Sequence, residues 1–512
     1  MRITVTFALM LFTLGLMSQT EERAVIEVLY GGRFLKDESR FPGASIFRKD
    51  VQGQVHFRHK GADLYCDEAY LYARENRLEA KGNIRMLQGD TLTLKSDQLF
   101  YNGDTRMARA IDRVDLVNKD SRLLTELLYF DREKQQAYFN TGGTLFSEEN
   151  VLTSREGTYV LDAKTYVFEE KVHIDNPDFV LDSDQLIFNT NSQIAFMSGP
   201  TTIVSPTYQF YFEKGQYHTE NEQGFGLKNT RIDYDNRTLY GDSVYFDNAR
   251  EYAAATQNIK VIDSLNASIL TAQYVELFKA KDSMRATGEA IVARQLDRDS
   301  LYVHGTYLFV TGKEEERDLL AFPNARFFKL GLSGASDSLK YTQKTGITEL
   351  LGKPVLWNVK NQLTGDYMYF TYSKGDKAID SLHVEGNAFM VAEDSIGGLG
   401  YNQAKGALLD GNFTDNKLDA MLLKKNTEVI YYMYDDTPAL IGVNKTICSE
   451  IKIEFADGSI SDITFLVNPS GEIYPYAIFP KEYEQLEGFQ WRGSERVDTL
   501  EAFITKIKGL KK

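Results

Sequence analysis

The strongest constraint in this sequence of 512 residues is an internal repeat of about 29 residues. Five segments that align without gaps begin at Cys66, Ser96, Thr125, Ser154 and Ser183. Successive starts lie 30, 29, 29 and 29 residues apart, and the register recurs at Gly241 and Thr271 and less regularly at Thr364. Such self-similarity indicates a repeat architecture in which each unit buries its apolar face against its neighbours.

Each repeat has the pattern of two strands joined by a turn. In the second repeat, Leu99 and Tyr101 are two apart, a polar turn follows, and Val114 and Leu116 are again two apart. Residues two apart share one face of a strand, and helical periodicity is absent through this region. The abundance of Phe and Tyr, 31 and 30 residues, and the presence of only 10 Pro also favour uninterrupted strands.

Stacked repeats of this kind predict an all-β fold, an elongated open β-jelly-roll or β-taco solenoid. A parallel β-helix fits less well, because its rungs are shorter. One apolar strip would line the interior, and we expect it to consist of Leu71, Ile84, Met86, Leu99, Tyr101, Val114, Leu116, Leu128, Phe130, Val172, Ile174, Leu186, Phe188, Val244, Phe246, Ile259 and Val261. These side chains suit an ordinary filled core or a trough with room for acyl chains, and the pattern alone leaves both open.

The first 20 residues predict a signal peptide. Arg2 precedes an apolar run from residue 3 to 17, and a polar stretch begins at Ser18. The run is shorter than the ~20 apolar residues that span a bilayer. We therefore expect a secreted chain, and its net charge of −15 argues against a nucleic-acid partner.

The sequence offers no convergent catalytic or metal site, and we predict neither a catalytic residue, nor a metal, nor a cofactor. His56 and His59 are three apart and would face opposite sides of a strand, and the other histidines are isolated. Four recurring aspartates share one repeat column, which indicates a role at the start of the strand: Asp67, Asp97, Asp184 and Asp242. No G-x-S-x-G, P-loop or H-E-x-x-H motif is present.

Two cysteines, Cys66 and Cys448, are too few for a disulfide scaffold. A buried free thiol is the commoner state for each, although pairing stays open. Two further classes of function also stay open. One is a secreted β-repeat adhesin or scaffold, and the other is a β-helical polysaccharide-active enzyme with carboxylates from distant rungs.

Several strand motifs resemble the OstA-like, or organic-solvent-tolerance, family, in the long form found in Bacteroidota. Residues 51–86 and 96–116 carry a G-x-V opening, an (S/C)-D strand and an A-x-G-N-I strand, the last at residues 80–84. Looser matches follow, among them VEGNAFMV and LEGFQWRGSER. The sequence departs from the pattern at Lys425, where Gly is expected before Asn426, and at Val497, where Pro is expected.

The resemblance implies a periplasmic, non-enzymatic protein that binds lipopolysaccharide. Its trough would shield the acyl chains of lipid A, and the strip residues named above would be the lipid-binding residues. It would help to bridge the inner and outer membranes by pairing edge strands with other lipopolysaccharide-transport proteins or with itself. We expect these edges within residues 45–57 and 451–474.

The sequence predicts four regions: a signal peptide over 1–20, OstA-like repeats over 25–300, a looser continuation or second β-jelly-roll over 301–480, and a tail over 481–512. In the tail, Ser494 could cap an amphipathic helix whose apolar face carries Val497, Leu500, Phe503, Ile504 and Ile507. This helix would pack as a cap on the end of the solenoid, or dock on a partner or a membrane surface.

Overall fold

The computed structural model describes residues 26–59, 61–119, 121–296, 299–313, 316–372, 378–414, 417–456 and 458–510. The predicted signal peptide lies outside the described residues. The chain forms two compact units, of which unit 1 comprises residues 1–235 and 242–250, and unit 2 comprises residues 236–241 and 251–512. The four regions predicted from the sequence remain predictions.

Unit 1 is built from antiparallel strands. They are β1 Glu27–Tyr30, β2 Arg33–Leu35, β3 Ser45–Arg48, β4 Val55–His59, β5 Ala62–Cys66, β6 Glu68–Tyr72, β7 Arg77–Gln88, β8 Leu92–Asn102, β9 Met107–Asn118, β10 Ser121–Asp131, β11 Gln136–Phe139, β12 Gly143–Ser147, β13 Asn150–Ser154, β14 Glu156–Val160, β15 Thr165–Asn176, β16 Phe179–Asn189, β17 Ile194–Val204, β18 Tyr208–His218 and β19 Gln223–Tyr234. The next strand, β20 Arg237–Asp247, contributes its first residues to unit 2 and its last to unit 1.

Unit 2 continues the antiparallel pattern and ends in a helix, α1 Leu500–Gly509. Its strands are β21 Tyr252–Asp263, β22 Ser268–Phe278, β23 Ser283–Thr287, β24 Ile291–Gln295, β25 Ser300–His304, β26 Tyr307–Thr311, β27 Asp318–Phe322, β28 Ala325–Lys329, β29 Leu332–Ser336, β30 Ser338–Thr342, β31 Ile347–Leu351, β32 Val355–Asn358, β33 Asn361–Thr364, β34 Tyr367–Tyr372, β35 Ile379–Glu393, β36 Tyr401–Thr414, β37 Lys417–Tyr434, β38 Leu440–Ala456, β39 Ser459–Phe465 and β40 Ser470–Tyr474. Single 3-10 turns occur at Ala73–Glu75, Lys279–Lys281, Tyr476–Ile478, Lys481–Tyr483 and Gly493–Glu495. The predicted fold class, an all-β jelly-roll of repeats with a short C-terminal helix, is confirmed.

Several long strands turn a corner at two consecutive left-handed residues. In β7 these are Gly82 and Asn83, with φ of 74° and 44°. The residues before them pair with β6, and those after them pair with β5. Corner pairs recur in both units at Asp112-Arg113, Glu170-Lys171, Lys228-Asn229, Gln257-Asn258, Gly288-Glu289, Gly352-Lys353, Gly386-Asn387 and Lys425-Asn426. Because Gly and Asn tolerate positive φ best, the Gly-Asn of the strand motif suits the backbone of the corner.

The aspartate column lies over these corners. The Asp67 carboxylate accepts hydrogen bonds from Lys49 Nζ (2.8 Å), Gln54 Nε2 (3.0 Å) and Asn83 Nδ2 (2.7 Å). In the next repeat, Arg113 donates from Nε to Asp97 at 2.8 Å. The carboxylate thus ties the start of one strand to the corner of the next, and the structural role predicted for this column accounts for these contacts.

The tail of unit 2, residues 475–510, packs on a sheet face. Two buried glutamines hold it, each by a donor and an acceptor bond to the tail backbone. Gln362 bonds Gln490 O and Arg492 N, both at 2.6 Å, and Gln403 bonds Glu484 O at 2.8 Å and Leu486 N at 2.9 Å. Phe479 and Leu486 pack among buried aromatic and aliphatic side chains of β35, β37 and β38. A buried amide that satisfies both its groups in this way costs little, because no polar atom is left unpaired.

The helix begins later than predicted. Thr499 is its N-cap, and its hydroxyl accepts a hydrogen bond from Ala502 N at 3.1 Å. Ser494 lies in a 3-10 turn instead, so its predicted capping role is wrong. Phe503 and Ile507 are buried against Phe328, which places the helix on strands of the sheet. None of the helices among the described residues is long and apolar enough to cross a membrane.

The predicted first edge is also corrected. Residues 45–57 are not an edge, because β2 pairs with β3 and β1 pairs with β4. These two short strands precede the repeats, and their low regularity concealed them in the sequence. At the other end, β39 and β40 both pair with β38 within the predicted range 451–474. Cys66 and Cys448 are both buried free thiols.

Candidate apolar trough

The predicted strip residues fall into two near-corner columns and two distal columns. The near-corner residues Ile84, Leu99, Val114, Leu128, Val172, Leu186 and Val244 of unit 1 are all buried, as is Ile259 of unit 2. They sit where each strand bends, so the two halves of the strand enclose them. Several form one apolar cluster with Val55, Phe57 and Leu64. The near-corner columns therefore form the dry floor of unit 1.

The distal columns are partly exposed in most repeats. In the first-strand column these residues are Leu71, Tyr101, Phe130 and Phe246, and in the second-strand column they are Met86 and Leu116, with Val261 in unit 2. The remaining two predicted residues, Phe188 and Ile174, are buried to 1% and 4% exposure. The structure thus brings the predicted residues onto one face of their strands, but with unequal access to water.

Sequence reasoning missed five members of the distal columns: Leu145, Tyr159, Ile203, Tyr217 and Ile232. The period of 29 would have found them, because Tyr159 follows Phe130 by 29 residues and Leu145 follows Leu116 by 29. Leu145 and Tyr159 are buried, and the other three are partly exposed. Both columns therefore become buried within residues 136–189 and are partly exposed on either side of this stretch.

This pattern divides unit 1 into three sections. The first open section comprises residues 55–131 and the closed section comprises residues 136–189. The second open section comprises residues 194–234 and 242–247. The first is lined mainly by aliphatic side chains, including Leu64, Met86 and Leu116. The closed section is filled by aromatic rings, which distinguishes it chemically from the first.

Aromatic rings in the closed section pack against one another and against glycine. The Phe139 ring lies over Gly157, where an added Cβ would come within 2.4 Å of it, and over Gly143 at 2.6 Å. Tyr159 and Tyr166 have ring centroids 4.4 Å apart. Burial raises the pKa of both tyrosines, which agrees with rings removed from water.

The outer faces carry polar cross-strand contacts instead. In unit 2, Ser381 Oγ lies 3.0 Å from His383 Nε2, and His383 Nδ1 lies 2.8 Å from Asp410 Oδ1. Burial acts to raise the pKa of Asp410, but the hydrogen bonds from Lys424 and His383 outweigh it and the pKa is lowered. This row lies on the solvent side of continuous ladders whose backbone N–H groups are paired, so it has the geometry of a cross-strand tie.

No group of three or more His, Cys, Asp or Glu side chains that could hold a metal occurs among the residues that the structure describes. His56 pairs with Asp63 at 2.7 Å and His173 with Asp182 at 2.7 Å, each across neighbouring strands. Of the aspartates that recur along the repeats, Asp67 and Asp97 are paired with side chains at corners.

Comparison with known proteins matches part of the chain. Residues 42–184 match the family model described as OstA-like protein. A comparison with curated proteins finds no match. Twenty solved chains match, and one is LptH from Pseudomonas aeruginosa, titled the LptA-homologous periplasmic component of the lipopolysaccharide transport device. That match has 16% identity, covers 23% of this chain and 82% of LptH, and has a TM-score of 0.21. Residues 42–184 therefore match the OstA-like family that the strand motifs predicted, and the long form found in Bacteroidota stays a prediction.

Proposed function

We propose that this chain is a periplasmic lipopolysaccharide-binding and transport protein of the long OstA-like type. Its open sections would shield the acyl chains of lipid A while the sugars and phosphates stay in water. The observation that carries the proposal is the pair of distal columns, in which large apolar side chains on the inner face stay partly exposed in repeat after repeat. Soluble proteins rarely leave such continuous apolar surface uncovered unless it binds something.

Apolar burial supplies the driving force in this proposal. Each CH₂ withdrawn from water contributes roughly 0.8 kcal/mol, so a single acyl chain of ordinary length contributes several kcal/mol. Charge does not attract the ligand, since the chain carries a net charge of −15 and lipid A phosphates are also negative. We therefore expect binding to persist at high salt, where attraction between opposite charges is screened.

The strand ends support the bridging part of the proposal. In unit 1, β1 and β2 carry exposed apolar side chains, with Phe34 at 60% exposure. In unit 2, the region of β39 and β40 exposes Leu466, Val467 and Ile473. Strands with apolar exposed side chains pair readily with another chain. We infer that these ends pair with other lipopolysaccharide-transport proteins or with further copies, and that the protein acts without catalysis.

The closed section favours one alternative, a secreted β-repeat scaffold. A scaffold needs a filled core, and residues 136–189 have one. The two proposals differ in the first open section, which a scaffold has no reason to leave partly exposed.

A matched pair of photo-crosslinking residues tests the proposed function. Tyr101 faces inward, whereas its neighbour Phe100 faces outward with the Arg109 guanidinium 4.5 Å from its ring. We expect p-benzoylphenylalanine at position 101 to trap lipopolysaccharide in cells that make it, and the same residue at position 100 to trap little. Equal adducts at both positions, or adducts at neither, would contradict the lipid-carrier function.

A further inference from the structure

We propose that the closed section divides the apolar strip of unit 1 into two separate acyl-chain sites, and that Phe188 and Tyr159 are the side chains that keep them apart. This inference rests on the proposed function and goes beyond it. A plain carrier would offer one continuous track along which acyl chains slide. In this chain the first and second open sections each hold acyl chains, and the interior between them is blocked.

The first argument is that two independent columns change together. The first-strand column is partly exposed at Phe130, buried at Tyr159 and Phe188, and partly exposed again at Tyr217. The second-strand column is partly exposed at Leu116, buried at Leu145 and Ile174, and partly exposed again at Ile203. The two columns lie on different strands of each repeat. Their coincidence therefore marks a closure of the trough and excludes the local effect of one bulky residue.

The second argument is steric. Phe188 is among the most fully buried large side chains of the protein, and its Cα partner across the strands is Tyr166. Tyr166 in turn contacts Tyr159, with centroids 4.4 Å apart, and Phe168, with centroids 6.0 Å apart. All four rings are buried, with exposures of 6% for Tyr159, 5% for Tyr166, 3% for Phe168 and 1% for Phe188, so we infer that they fill the interior of the closed section. An acyl chain can cross only if rings swing out.

The third argument comes from one repeat column next to the corners. This column lies three residues before the second corner residue of each repeat. It holds Ala80 and Ala110 in the first open section and Phe139 and Phe168 in the closed section. In the second open section the column has Met197 and then a small residue, Gly226. Side-chain volume in this column therefore rises in the closed repeats, where the floor is raised toward the distal rings.

Acyl-chain labelling of the purified full chain tests the division. The probe is lipid A that carries a diazirine on its acyl chains, and adducts are mapped by mass spectrometry after irradiation, with unlabelled lipid A as competitor. We expect competed adducts in β7–β10 and in β17–β19, with at least a fivefold drop over β14–β16. Competed adducts spread evenly across all these strands would overturn the division and leave the proposed function standing. Adducts that unlabelled lipid A does not reduce would overturn the proposed function and this inference with it.

Three variants refine the assignment to Phe188. F188A should fill the gap in the adduct map over β14–β16. F196A removes an exposed ring on the outer face and should leave the gap in place. If F188A is folded by circular dichroism and its gap persists, Phe188 does not separate the sites. If F188A does not fold, F188L makes the same test with a smaller change in volume, and the wild-type map still decides the division itself.

Discussion

The first open section and the closed section of unit 1 share a backbone design and differ in what their interiors admit. Both have antiparallel strands that bend at left-handed corner pairs, Gly82-Asn83 in one and Glu170-Lys171 in the other. In both, the inner face is apolar and the near-corner residues are buried. Only the distal columns differ, partly exposed in one and buried in the other. The corner therefore sets the backbone of a repeat, and side-chain volume sets its access to water.

The largest expected effect is on stability in the closed section. F188A removes a ring with 1% exposure and should destabilise β15 and β16 by about 3–5 kcal/mol, because it leaves a cavity in a filled interior. F130A removes the partly exposed counterpart two members earlier in the same column and should cost less than half as much. Hydrogen exchange of the backbone amides in the two sections measures both losses in the intact chain. Equal losses would mean that the two sections are packed alike.

Thiol reactivity should distinguish the buried floor of unit 1 from the partly exposed distal columns. Burial, and to a smaller extent the neighbouring Asp67 and Glu68 charges, raise the pKa of Cys66 to about 12, against an ordinary value of about 8.5. At neutral pH its thiolate fraction should be roughly a thousandfold lower than that of a free thiol. We expect Cys66 to react with iodoacetamide only after unfolding, and an engineered M86C thiol to react in the native chain. Because the folded state holds the protonated thiol, stability from this group falls as pH rises above about 8.5.

The loss of the Asp67 carboxylate at the corner should have an intermediate effect on stability. D67A removes the acceptor of three side-chain hydrogen bonds and should destabilise the first open section by about 1–2 kcal/mol. D115A, which breaks only the surface pair with Arg122, should cost at most about 0.5 kcal/mol and serves as the control. Urea unfolding of both variants beside wild type makes the comparison. An equal loss of stability in both variants would contradict the role of Asp67 at the corner.

The same carboxylate predicts a pH dependence. Burial acts to raise the pKa of Asp67, but hydrogen bonds from Lys49, Gln54 and Asn83 outweigh it, and its folded pKa lies below the ordinary value. Its contribution is therefore fully present above the unfolded pKa of about 3.9 and is lost as pH falls through that value toward the folded pKa. Wild type should lose stability over this range more steeply than D67A. Parallel curves would contradict the pKa assignment.

The smallest effect concerns the corner backbone. Lys171 and Lys425 adopt φ of 57° and 65°, which strain an ordinary side chain, so K171G and K425G should each stabilise the chain by about 0.5–1 kcal/mol. G82A is the opposite change, since its Cβ would lie 3.0 Å from Asp67 Cβ, and it should destabilise. Thermal unfolding checks the signs. Destabilisation by both glycine variants would show that the corner residues are held by their side chains instead.

Much of this could be predicted from the sequence because period-two alternation and a 29-residue repeat define strands, faces and columns. Lys425, which stands where the family pattern has Gly, is a corner residue. The Gly of the motif therefore reflects the backbone conformation of the corner. Access to the trough could not be predicted in the same way. Tyr101 and Tyr159 occupy the same column with the same side chain, but Tyr159 packs against the Tyr166 ring and is buried, whereas Tyr101 is partly exposed.

The elements whose positions were predicted wrongly lie outside the repeat. Strands β1 and β2 are short and precede it, and the tail follows it, held by Gln362 and Gln403 through bonds to backbone atoms more than 80 residues away. Nothing local marks a glutamine as the anchor of a distant segment. The helix start shifted from Ser494 to Thr499 because both residues can cap, and the packing of Phe503 against Phe328 selects the later one.

Protection of engineered thiols by lipid tests the central account most directly. In the intact chain, single cysteines M86C, I174C and I203C place one thiol on the distal column of each section. The account predicts that a maleimide modifies M86C and I203C readily, that lipid A slows both at least tenfold, and that I174C is unreactive with or without lipid. Reactivity at I174C equal to that at M86C, with equal protection by lipid A, would contradict the closed section. Reactive thiols that lipid A leaves unprotected would contradict lipid binding in the trough.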